Sequence, residues 1–116
     1  MSSPPRTIFF LLHATPRWLA LSPAARDGFV RDELRPILAR HPAVRLRYFD
    51  AEAYCAATSD VLMWETDDDR AYRAVVEALR ETAFWGGYFE VREIIPCVED
   101  DFARHYAVEG FASARG

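Results

Sequence analysis

Apolar residues along the chain fall into short runs and stripes whose period changes from two to three-and-four and back. Thr7–Ala14 is apolar at nearly every position. A strand wetted on one face alternates apolar with polar residues, so this run predicts a strand covered on both faces. Ser22-Pro23 opens a helix, the serine accepting an orphan N–H and the proline sitting at the first helical position. That helix runs to about Arg40, with Phe29, Val30, Leu34, Ile37 and Leu38 on one stripe, and Pro36 inside it predicts a kink. Val44–Asp50 and Asp60–Thr66 alternate as strands, joined by a connection with a partial helical turn around Ala53–Ala56. The acidic run Asp67–Asp69 marks the start of a second helix, where acids offset the helix dipole. This helix reaches about Thr82, with Tyr72, Val75, Val76 and Leu79 on its stripe. Gly86-Gly87 ends it, and Tyr88–Pro96 is the fourth strand. Met1–Arg6 reads as a Pro-rich lead-in, and residues 98–116 as a tail with a helical turn at Asp101–Tyr106 and a mobile end.

The order β-α-β-β-α-β predicts an α+β, ferredoxin-like fold: an antiparallel four-strand sheet in the order 4-1-3-2 with both helices on one face. Strand one is then central. Helices cover only one of its faces, yet both are apolar, and an apolar patch of that size does not stay in water. The pattern therefore predicts a homodimer in which two sheets face each other, a dimeric α+β barrel.

Composition narrows this further. At 116 residues the chain makes a single domain, 1–116, with a core over 7–97. Half of it is hydrophobic and 14% aromatic, enough for a core without staples. The net charge of −4 is spread through both signs, with no basic stripe, so nucleic acid is not an expected partner. Cys55 and Cys97 stand apart and form no C-x-x-C pattern, which reads as reduced thiols in a cytoplasmic protein. The apolar run Ile8–Leu12 is too short to span a membrane. No glycine-rich phosphate loop, nucleophile elbow or zinc spacing occurs, so no cofactor and no metal is expected.

Strand parity assigns faces. Ile8, Phe10, Leu12, Val44, Leu46, Tyr48, Leu62, Trp64, Phe89 and Val91 face the helices. The opposite face collects Phe9, Leu11, His13, Arg45, Arg47, Phe49, Val61, Met63, Glu65, Tyr88, Glu90 and Arg92. Apolar walls with a few convergent charges are the make-up of a small-molecule site. His13 oriented by Glu90 suits a general base, since histidine titrates near neutrality; equally, a strand-end histidine caps a backbone carbonyl. Arg47 suits an oxyanion or phenolate, or a salt bridge across a dimer. Arg45 and Glu65 read as a structural cross-strand pair. Trp18, Phe49, Met63 and Tyr88 are the candidate walls around a ligand, although aromatics at this density also serve as core. His105 and Tyr106 belong to the tail and are not assigned to the site.

Five stretches carry a family resemblance: Ala14–Leu21, Pro36–Val44, Tyr48–Ala53, Trp64–Asp68 and Arg80–Trp85. Through them the chain resembles the darcynin family. The resemblance implies a ferredoxin-like, dimeric α+β barrel type of fold and carries over no catalytic residue. More loosely, the chain is similar to small barrel proteins of natural-product pathways, cofactor-free monooxygenases and cyclases among them. The expectation is thus a small-molecule-binding barrel that performs cofactor-independent cyclisation or isomerisation on a flat, partly aromatic or polyketide-like metabolite. The alternatives are a non-catalytic binding or interaction module and a cofactor-free monooxygenase.

Overall fold

A computed structural model describes residues 4–111. Strand β1 (Arg6–Ala14) is followed by a short helix α1 (Pro16–Leu19) and a helical arm. The arm consists of α2 (Pro23–Phe29), a π-helical turn (Val30–Leu34) and α3 (Arg35–Arg40). Strands β2 (Arg45–Asp50) and β3 (Asp60–Thr66) lead to α4 (Asp69–Arg80), β4 (Phe89–Val98) and α5 (Asp101–Tyr106). The four strands form one antiparallel sheet in the order β2-β3-β1-β4, so β1 is central. The fold is the expected α+β one.

Burial along β1 and β3 alternates strictly. Ile8, Phe10, Leu12, Leu62 and Trp64 are buried on one face. They pack with Ile37 of α3 and with Val75 and Leu79 of α4, so both long helical elements cover that face. Phe10 lies edge-on to Trp64 and Trp85, with ring centroids 5.6 and 5.9 Å away. The other face carries Phe9, Leu11, Val61 and Met63, which are only half-buried.

Local chemistry sets the boundaries. Ser22 accepts the Ala25 N–H and Asp68 accepts the Ala71 N–H, capping α2 and α4. Pro36 does more than kink the arm. It has no N–H for the preceding turn, and the chain widens there into the π turn, where the Arg35 N–H reaches the Val30 carbonyl. Pro16 and Trp18 make Thr15–Leu21 read as a loop with an anchoring aromatic; within it Pro16–Leu19 forms α1, capped by the Thr15 side chain. The connection after β2 carries a single isolated turn at residues 51–55, with the N–H groups of Tyr54 and Cys55 both on the Ala51 carbonyl, and no helix continues from it. After α4, the Tyr88 N–H donates to the Ala83 carbonyl at 2.7 Å. A Cβ at Gly87 would lie 2.6 Å from that same oxygen, so only glycine fits.

Strand β4 departs from simple parity. Its pairing with β1 slips between Leu11 and Leu12: Leu12 pairs with Val91 but Leu11 with Glu93. Arg92 is the extra residue of a β-bulge. Residues beyond the bulge exchange faces, so Glu93, Ile95 and Cys97 join the open face in register with Leu11, Phe9 and Thr7. The start of the lead-in (1–3) and the end of the tail (112–116) lie outside the described residues.

Candidate functional site

The open face is laid out in rows that run across the sheet. One row is Phe49–Val61–Leu11–Glu93, the next Arg47–Met63–Phe9–Ile95, the third Arg45–Glu65–Thr7–Cys97. The middle of the sheet is therefore apolar and the polar groups lie towards its margins. Arg45 and Glu65 form the expected cross-strand ion pair, at 2.6 Å. A depression of about 440 Å³ lies between the second and third rows, and Phe9, Arg47, Met63, Glu65, Cys97 and Glu99 are among the residues that line it. Arg47 stacks over the Phe49 ring at 5.1 Å and makes no ion pair among the described residues. Arg47 is exposed, and it shares the depression with the carboxylates of Glu65 and Glu99.

His13 and Glu90 are direct register partners at the far end of β1. Such partners hold their Cβ atoms about 5 Å apart, within reach of each other. In this structure the Glu90 carboxylate is engaged by Arg92 of the bulge, at 3.2 Å. His13 and Arg47 do not converge. Arg47 sits in the row of Phe9, four residues from His13, which is about 13 Å along the strand. Phe49 and Met63 lie on the open face between these two ends.

Trp18 and Tyr88 stand elsewhere. Tyr88 precedes β4, and its ring packs on Phe29 and Trp18, with centroids 4.8 and 5.2 Å away, and under the Arg17 guanidinium at 5.0 Å. Trp18 also lies 4.8 Å from Phe89. Both rings belong to the helix-side aromatic cluster that joins α1 and α2 to the core. The placement of Tyr88 on the open face is thus corrected: it lies outside the strand whose alternation would have put it there.

The structure also holds a polar network that parity reasoning passed over. Asp60 is buried at the helix-facing start of β3. It accepts the Tyr48 hydroxyl at 2.5 Å and the Ser59 hydroxyl at 2.6 Å, and the Ser59 oxygen accepts the Ala14 N–H. Partial burial, and then the bond to Asp60, hold the Tyr48 phenol above its ordinary pKa. The available signal was an aspartate in helix-facing phase with Leu62 and Trp64, beside a serine. No cluster of metal-ligating side chains occurs among the described residues, and no described helix is long and apolar enough to cross a membrane.

Residues 1–115 match the family described as Darcynin, domain of unknown function. The chain belongs to the darcynin family. A darcynin homolog of Streptomyces avermitilis is 43% identical over 113 residues, 97% of this chain and 93% of the relative. A darcynin of Chromobacterium violaceum is 49% identical over 70 residues, 60% of this chain and 89% of the relative. The darcynin fold is similar to that of chlorite dismutase from Candidatus Nitrospira defluvii, solved as engineered variants. For one variant the TM-score is 0.72 at 16% identity, over 92% of this chain and 46% of that one. For another the TM-score is 0.66 at 10% identity, with 41% of that chain covered. This chain therefore spans less than half the length of the chlorite dismutase chains it matches, and at such identity the likeness is one of fold.

Proposed function

We propose that this darcynin is a small-molecule-binding α+β barrel protein in which two copies bring their open sheet faces together around a ligand. The observation that carries the reading is the half-buried apolar centre of that face, Phe9, Leu11, Val61 and Met63, flanked by Arg47. Water does not favour such a surface, and a second sheet covers it by the same packing that builds sandwiches. The ligand is a flat, partly aromatic metabolite with an anionic or phenolic end. Arg47 anchors that end, Phe49 and Met63 line the path, and His13 meets the other end about 13 Å away along the strand.

The chemistry proposed at the His13 end is cofactor-independent proton transfer, of the kind that drives cyclisation or isomerisation. A half-buried imidazole is the base, and Glu90 orients it once ligand binding releases that carboxylate from Arg92. Nitrobenzisoxazole, whose ring opens on loss of one proton, tests the base in an apolar setting. The wild-type chain accelerates the opening, and His13→Ala lowers the protein-dependent rate about a hundredfold. An unchanged rate in His13→Ala removes the base. Retained binding without turnover in the wild type leaves the non-catalytic reading, a protein that sequesters its ligand.

A further inference from the structure

The helix-covered side of the sheet is not packed solid. A cavity of about 380 Å³ lies between the α2–α3 arm and the sheet, remote from the open face. Its walls are aliphatic for the most part: Leu12 and Leu62 from the sheet floor, Leu34 and Leu38 from the arm, Leu46 from β2. It is more than twice the volume, about 150 Å³, that suffices for a benzene-sized guest, and within the range of small-molecule sites. The π turn borders the space: Val30 and Leu34, its first and last residues, both line it. π turns recur at functional sites.

Tyr48 of the β2 edge strand lines the cavity and yet stays 57% exposed. Polar groups are few. The Tyr48 hydroxyl proton is committed to Asp60. At the rim, Arg26 is held by the carbonyls of Trp18 and Leu19, and Asp27 by Arg31 at 3.8 Å. Arg35 remains, with no ion pair among the described residues. An apolar interior bordered by a guanidinium with neither ion pair nor hydrogen bond among the described residues suits a guest with an apolar body and one anionic end. We propose that this cavity is a second, separate ligand site for a small alkyl carboxylate, its chain among the leucines and its carboxylate on Arg35. The site does not rest on the reading of the open face.

Calorimetric titration of the full chain with octanoate, and with octanol as the neutral probe, tests this. The expected result is saturable binding of one octanoate per chain. Arg35→Gln weakens octanoate about tenfold, the scale of one charge-assisted hydrogen bond, and leaves octanol unaffected. Leu34→Phe, which fills the cavity, abolishes both; should that variant fail to fold, Arg35→Gln decides alone. Arg47→Ala on the open face leaves octanoate binding as it was. No saturable binding by the folded wild type overturns the proposal. So does octanoate binding that ignores Arg35→Gln, or that is lost in Arg47→Ala, which would move the site to the open face.

Discussion

The two faces of this sheet are built from the same strands and nearly the same residue types, yet they differ in cover. On the helix side Ile8, Phe10, Leu12, Leu62 and Trp64 are at most 6% exposed. On the other side Phe9, Leu11, Val61 and Met63 are no less apolar and remain partly exposed. Composition does not distinguish these two sets; what is packed over them does. The proposed reading supplies a second body for the apolar residues that the chain's own helices leave uncovered.

The largest expected effect separates the faces directly. Phe10→Ala costs about 3–5 kcal/mol in urea unfolding, because it leaves a cavity between Trp64 and Trp85. Phe9→Ala, one residue away on the open face, costs about 1 kcal/mol in dilute solution. Its cost grows as protein concentration rises, since stability is then linked to association. Equal and concentration-independent costs would break the comparison. Next, Asp60→Ala strands the Tyr48 and Ser59 hydroxyls and costs about 2 kcal/mol by the same measurement. A cost near zero would show that the network adds nothing to the covered face.

A smaller effect appears in alkali. The Tyr48 phenol is raised in the folded state, so the folded chain holds this proton more tightly than the unfolded one. Its contribution is complete below pH of about 10, the unfolded value, and is lost as pH rises through the folded value. Unfolding free energy should fall above that pH, and Tyr48→Phe should flatten the fall. An unchanged slope in Tyr48→Phe would assign the titration elsewhere. Smallest is the marginal Arg45–Glu65 pair. Both side chains are well exposed, so Arg45→Ala changes stability by less than about 1 kcal/mol. A larger loss at high concentration than at dilution would show that the dimer covers this row as well.

Much of the fold is legible in the residues. Thr7–Leu12 is apolar at both parities, which only a central strand explains, and the strand order follows from right-handed crossovers. The register of Arg45 on Glu65 and of Phe49 on Val61 follows from a symmetric connection. The candidate site is less legible, for two physical reasons. A β-bulge at Arg92 costs one residue of phase, so everything beyond it in β4 exchanges faces without any change in composition. Tyr88 carries the alternation of a strand but is fixed by backbone bonds of the preceding turn, where ring packing with Trp18 and Phe29 decides its position. Distance along a strand was open to calculation in advance: His13 and Arg47 belong to rows four residues apart, too far to act on one bond.

The central claim is that a second copy covers the open face. Sedimentation equilibrium of the wild-type chain at micromolar concentration, beside Phe9→Glu, tests it most directly. Two copies together for the wild type and one for Phe9→Glu is the predicted result; a wild-type chain that sediments as a single copy would contradict it.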